Sequence, residues 1–158
     1  MELEIEVDGW PQGAWEALAQ RAVRAAGSVE PALANPRLEA SILFTSDAEV
    51  HELNKGWREK DKPTNVLSFP MLERDELLSL APDGPPVLLG DIALARETCT
   101  REAAEKGATL EHHATHLVIH GLLHLAGLDH EISPQDAEEM EALEVKALAQ
   151  LGIADPYG

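Results

Sequence analysis

Residues 120 to 130 read HGLLHLAGLDH. His120 and His124 are one helical turn apart, so on a helix their imidazoles share a face and can reach one ion. His130 comes six residues later and would point elsewhere if the helix ran on. Gly127 lies between them, and glycine takes the left-handed conformation that ends a helix and turns the chain back. The stretch therefore demands a helix, a sharp turn and a return. Three neutral imidazoles bind zinc and leave a fourth position open, as in catalytic sites; a structural site takes four protein ligands, usually with cysteine. The one cysteine, Cys99, has no cysteine partner and sits in the helix-like ETCTREAAEKG as a packed or half-exposed bystander. Scattered core or surface histidines would not be expected to keep this spacing with a glycine placed between.

The same spacing, H-x-x-x-H-x-x-G-x-x-H, occurs in metzincin zinc proteases, where a glutamate follows the first histidine and serves as general base. Here that position is Gly121. A carboxylate beside the metal would repel an anionic substrate such as a phosphodiester, so glycine suits one. Glycine also permits close helix packing, and because it costs up to about 1 kcal/mol inside a helix, one of the two must compensate. His116, one turn before His120, either supports the site or is simply packed. His112 and His113 are expected to face solvent. Asp129 either orients an imidazole or serves only the turn.

The flanking sequence supplies the frame. LEIEV, LEASILFT, NVLSFP and VLLGDIALA read as strands. A helix is expected over PQGAWEALAQRAVRAAG, with Trp15, Leu18, Ala22 and Val23 on one face and Gly27 closing it. A second begins at Ser46, whose Glu49 completes a capping box. Further helices are expected over about 95 to 106, 109 to 126 and 134 to 150, the last opened by Ser133 and Pro134. Residues 71 to 86 are expected to form a long mobile loop. The pattern is an α+β fold: one domain spanning residues 1–158, with a small, mostly mixed sheet of about four strands packed with about five helices. The metal site would lie on a central helix and the turn after it.

A formal net charge of −17 argues against broad, non-specific binding to DNA, RNA or anionic membrane. The positive charge is concentrated, however: four of the 12 Lys and Arg residues, Lys55, Arg58, Lys60 and Lys62, fall within eight positions. No apolar run approaches the roughly 18 residues of a membrane span. The acidic start MELEIEVDGW is unlike a signal peptide. The expected location is the cytoplasm, and a lone cysteine fits a reducing compartment.

HLVIHGLLHLAGLDH resembles the signature H-G-x-L-H-L-x-G-Y-D-H of the YbeY endoribonuclease family, with Leu128 in place of the usual Tyr. LNKGWREKDKPTNVLSFP is similar to that family's L-N-x-x-[FY]-R-x-x-D-x-x-T-D-V-L-S-F, and LLGDIALA to its L-G-D-I strand. The three blocks run in the family's order across residues 53 to 130. Asn65 departs from the pattern, which mostly has Asp there.

The resemblance implies a metal-dependent endoribonuclease specific for single-stranded RNA. It would act in ribosomal RNA maturation, notably at the 3′ end of 16S rRNA, and in ribosome quality control. Its partners would be ribosomal RNA and the small ribosomal subunit with its associated proteins, not DNA or membrane. Carried over, His120, His124 and His130 are the ligands of one metal ion, usually taken as Zn2+, and Arg58 is the catalytic arginine. A guanidinium there can grip a phosphate at two points and stabilise developing charge; a surface ion pair is the plainer role. Lys55, Lys60 and Lys62 either line the RNA path or face solvent. Trp57 either stacks on a base or packs. Asp61, Thr64 and Ser68 are expected to shape the strand and loop rather than to react. Two other readings compete. A metal-dependent hydrolase of another substrate, such as a metzincin-like protease, would need a carboxylate near the metal, for which Asp91 is the candidate. A ribosome-associated binding protein would need a structural metal.

Overall fold

The computed structural model describes residues 1–58, 64–128 and 133–158, with the side chains of residues 57 and 58 outside the description. Four strands, β1 (Glu2–Val7), β2 (Leu38–Thr45), β3 (Val66–Pro70) and β4 (Val87–Ala95), form one sheet in the order β1-β2-β4-β3. The first, second and fourth run parallel, and β3 pairs antiparallel with β4. The described helices are α1 (Trp15–Val29), α2 (Asp47–Arg58), α3 (Arg74–Leu78), α4 (Arg96–Lys106), α5 (Leu110–Leu125) and α6 (Pro134–Gln150). This is the expected α+β architecture with a mixed four-stranded sheet and one helix more than expected.

Alternation along β2 sorts the two faces of the sheet. Leu38, Ala40, Ile42 and Phe44 are buried, while Glu39, Ser41 and Leu43 between them are only half-buried. Leu38, Ile42 and Phe44 join Ile92 and Leu94 of β4 under α1, α5 and α6. Each fully buried Leu, Ile or Phe contributes about 1.5–3 kcal/mol through removal from water. Trp15, Leu18, Ala22 and Val23 of α1 enter this core as their spacing predicts. Trp10 stacks edge-on against Trp15 and Phe44, with ring centroids 4.9 and 5.1 Å away, and its Nε1 donates to Thr45 O at 2.8 Å. On the opposite face α2 lays Val50 and Leu53 over Leu43, Leu67, Phe69 and Ala93.

Helix α5 is the central element. From His113 to Leu123 every residue except His120 is buried, the signature of a helix enclosed by its neighbours. Thr109 caps it by accepting from His112 N at 3.1 Å. Gly121 faces β4, where a Cβ would come within 3.0 Å of Ile92 Cδ1. Close packing of helix on sheet therefore accounts for this glycine. A glutamate there would have to displace a core isoleucine.

Two expectations change. Helix α1 does not close at Gly27 but runs on to Val29, with Gly27 beside Ala34. Residues 71 to 86 are not all loop: Glu73 and Glu76 form a reciprocal capping box that opens α3, and Leu77 is buried in the main core. Ser46 and Ser133 each cap the helix they open, accepting from Glu49 N at 3.2 Å and Asp136 N at 3.1 Å.

Candidate metal centre

His120 and His124 both lie on α5, near its C-terminal end, and both are half-exposed amid buried neighbours. The helix ends as its glycine predicts. Gly127 takes φ +91° and its N–H bonds His124 O at 3.0 Å, while Leu128 N returns to Leu123 O at 3.2 Å. Arg74 of α3 holds this turn. Its Nη1 donates to Ala126 O at 2.8 Å and pairs with Glu30 Oε1 at 2.6 Å. A Cβ at position 127 would come within 2.6 Å of Arg74 Cβ. The helix absent from the sequence reading is thus the clamp on the turn that leads toward residue 130.

Each helical histidine has its Nδ1 engaged. His124 Nδ1 lies 2.8 Å from Ser68 Oγ on β3. His120 Nδ1 lies 3.3 Å from Glu144 Oε2 on α6. A carboxylate accepts only, so His120 carries a proton on Nδ1, and in the neutral ring the lone pair is then on Nε2. The Ser68 hydroxyl can hold His124 in the same tautomer by accepting from Nδ1–H. Metal-binding imidazoles are commonly oriented in this way.

Glu144 is 1% exposed and takes three donors. Besides His120, these are His116 Nε2 at 2.6 Å and the Tyr157 hydroxyl at 2.8 Å, both on Oε1. Burial by itself would raise the Glu144 carboxyl; hydrogen bonds from His116 and His120 overcome it and hold the pKa at about 2. Burial, then the Glu144 charge, push the Tyr157 phenol well up, so it stays a donor.

Of the two histidines expected in solvent, His112 is exposed and His113 is not. His113 is 3% exposed and its Nε2 lies 2.9 Å from Glu102 Oε1 on α4, which also accepts from Asn65 Nδ2 at 2.9 Å. Burial lowers the His113 pKa, so the ring is a neutral donor to Glu102. Burial would raise the Glu102 carboxyl, but the Asn65 and His113 hydrogen bonds bring it below its ordinary value. Cys99 is fully buried, and burial pushes its thiol up to about 12, so it is inert at neutral pH.

Asp91 does not serve the site. It pairs with Phe69 and accepts from Ser41 Oγ on the α2 face of the sheet. Its neighbour Ile92 and the strand partner Ser68 face α5 instead. The carboxylate that a protease reading needs is therefore turned away from the histidines. Glu144 does not replace it, because its oxygens are taken by donors and it meets His120 on the Nδ1 edge. Arg58 ends α2, and its side chain lies outside the described residues, as do His130, Asp129, Lys60, Asp61 and Lys62. Lys55 is exposed and Thr64 half-buried.

Among the described residues no three His, Cys, Asp or Glu side chains group to hold a metal ion; the third histidine of the motif lies outside that set. The two that are described fit a zinc-type ion in chemistry. Both are imidazoles, and both meet their partners through Nδ1.

Sequence reasoning missed Glu144 and gave Ser68 only a structural part. Glu144 had a signal: it falls in the buried stripe Met140, Glu144, Ala147, Leu148 of α6, where a carboxylate calls for a partner.

A family model described as Endoribonuclease YbeY matches residues 3–152. The chain is similar to the Endoribonuclease YbeY of Erythrobacter litoralis, with 68% identity covering 100% of this chain and 98% of that protein. It is also similar to the Endoribonuclease YbeY of Novosphingobium aromaticivorans, at 60% identity over 98% of this chain and 95% of that one. Among solved structures, the solution structure of TM1509 from Thermotoga maritima superposes with a TM-score of 0.58 at 25% identity. That match covers 95% of this chain and 91% of the other.

Proposed function

The chain belongs to the YbeY endoribonuclease family, and from that premise we propose that it is a metal-dependent endoribonuclease that cuts single-stranded RNA. His120 and His124 hold the ion through Nε2, and His130 is the third ligand. The observation that carries this is the Nδ1 contact of Glu144 with His120, which sets the tautomer a metal needs, with the Ser68 hydroxyl on His124 Nδ1 compatible with the same tautomer at the second ring. A bound zinc ion would supply Lewis acidity toward a phosphoryl oxygen.

The chain's own residues do the rest. Arg58 grips the phosphate and stabilises charge as it develops. Lys55, Lys60 and Lys62 add positive charge to a chain whose net charge is −17. An acidic protein of this kind needs only a local groove for RNA. The substrate is ribosomal RNA, at the 3′ end of the 16S species, presented by the small subunit and its proteins in the cytoplasm. Residues 1–158 act as one catalytic domain.

The test is incubation of zinc-loaded protein with single-stranded RNA, duplex RNA and casein. Cleavage of the single strand alone, abolished by a chelator, is expected. Chelator-sensitive digestion of casein with intact RNA would replace this reading with a protease. Mass analysis of the product ends adds the chemistry: a 2′,3′-cyclic phosphate identifies attack by the RNA's own 2′-hydroxyl.

A further inference from the structure

The network behind His120 is larger than the orientation of one ligand requires. Glu144 sits on α6, 24 residues from His120, and its carboxylate joins three separate pieces of the chain. His120 and His116 reach it from α5, and Tyr157 reaches it from the segment after α6. His116 is 5% exposed, and its Nδ1 has no hydrogen-bond partner. Its Nε2 donates to Glu144 Oε1 and lies 3.1 Å from the Tyr157 hydroxyl, with the two rings edge to face at 5.4 Å. His116 thus leaves one buried ring nitrogen unsatisfied while its other nitrogen points at Glu144. An unpaired buried polar atom costs free energy, so a histidine would be a poor choice here if filling space were its only use.

We propose that Glu144 is a positioning residue of the metal centre, fixed by His116 and Tyr157 so that His120 presents Nε2 to the ion; Tyr157 thereby contributes to metal affinity without touching the metal. The proposal rests on the reading of His120 as a ligand. Three donors leave the carboxylate little freedom to rotate, and a fixed acceptor fixes the ring. An amide cannot do the same. Glutamine offers one acceptor oxygen, and its NH2 would face either His120 Nδ1–H or the two donors on the other side.

The experiment measures zinc affinity by competition with a chromogenic chelator, on the full chain. It is combined with 15N NMR of the histidine rings in metal-free protein, which reports the tautomer directly. Glu144→Gln is expected to weaken zinc binding by about 10- to 100-fold and to mix the Nδ1–H and Nε2–H forms of His120. Tyr157→Phe removes only a hydroxyl on a half-exposed ring, and it serves if the Glu144 variant does not fold. It is expected to show a smaller loss in the same direction, with none when added to Glu144→Gln, because the two act in one chain of contacts. His112→Ala, exposed on the same helix, is expected to bind zinc as the wild type does.

Wild-type affinity in both Tyr157→Phe and Glu144→Gln, with the His120 tautomer unchanged, overturns the positioning role and leaves the metal centre standing. Wild-type protein that binds no zinc, or His120→Ala protein that binds it at full strength, overturns the metal reading itself and the positioning role with it.

Discussion

Ser68 on β3 and His124 on α5 meet at 2.8 Å through Oγ and Nδ1, 56 residues apart in the chain. The contact ties the NVLSF strand to α5, so two motifs separate in the sequence come together. Removing the hydroxyl is a direct probe of that link. Ser68→Ala is expected to lower zinc affinity and RNA cleavage by on the order of tenfold. It should change stability by about 1 kcal/mol or less, the net worth of one hydrogen bond. Urea denaturation of metal-free protein alongside zinc titration separates the two effects.

Gly121 and Ile92 give a second test, of packing rather than chemistry. Alanine at 121 gains helix propensity but drives its Cβ to within 3.0 Å of Ile92 Cδ1. Overpacking of this kind costs about 1–3 kcal/mol, so Gly121→Ala is expected to be destabilising overall. Ile92→Val removes Cδ1, and the double variant should be more stable than the sum of the singles allows. Gly121→Glu is expected to lower the melting temperature most of all, since it adds bulk and a charge at a buried position. A Gly121→Glu protein as stable as the wild type would return this glycine to a purely electrostatic explanation.

Asn65 sets a pH-dependent test. Its amide donates to Glu102 at 2.9 Å, where the family pattern mostly has Asp. In the wild type Glu102 is held below its ordinary pKa of about 4.5. Its contribution is therefore full above that value and is lost as pH falls through the depressed one. Asn65→Asp sets a second carboxylate against it and reverses the shift, so the folded variant binds protons more readily than the unfolded chain. The variant is expected to be less stable at pH 7 by on the order of 1 kcal/mol, the low end of the range for an unsatisfied polar partner, since Glu102 is only half-buried. The gap should narrow as pH falls through about 5 to 4. Glu102→Gln should remove most of it. Chemical denaturation at pH 7 and pH 4.5 is sufficient.

Arg58 is expected to serve cleavage more than folding. Arg58→Ala should leave zinc content and melting temperature almost unchanged and lower RNA cleavage by a factor on the order of 10² or more, as for loss of one donor to the transition state. Arg58→Lys should rescue only in part, since an ammonium lacks the planar two-point grip. Unfolding of Arg58→Ala, or cleavage at the wild-type rate, would make the residue structural or incidental.

The parts of the site that were legible in the sequence are those governed by local geometry. His120, His124 and Gly127 act through helix periodicity and the left-handed turn, which operate within a few residues. The caps at Ser46 and Ser133 are legible for the same reason. What lay hidden depends on elements far apart in sequence. Glu144 is one of many acidic residues in α6 until the packing of α6 on α5 brings it to His120. His113 reads as a surface residue until α4 covers it with Glu102. The capping box of α3 uses Glu73 in place of the usual Ser, Thr, Asp or Asn, which is why a helix that clamps Gly127 through Arg74 read as loop. Gly27 read as a helix end, whereas α1 continues past it, with Gly27 beside Ala34.

Whether the α5 histidines hold a metal ion for RNA cleavage is read by elemental analysis of wild-type and His124→Ala protein purified side by side. About one zinc-type ion per wild-type chain is expected, as for a three-histidine site, and little or none in the variant. Full metal retention by His124→Ala protein would contradict it.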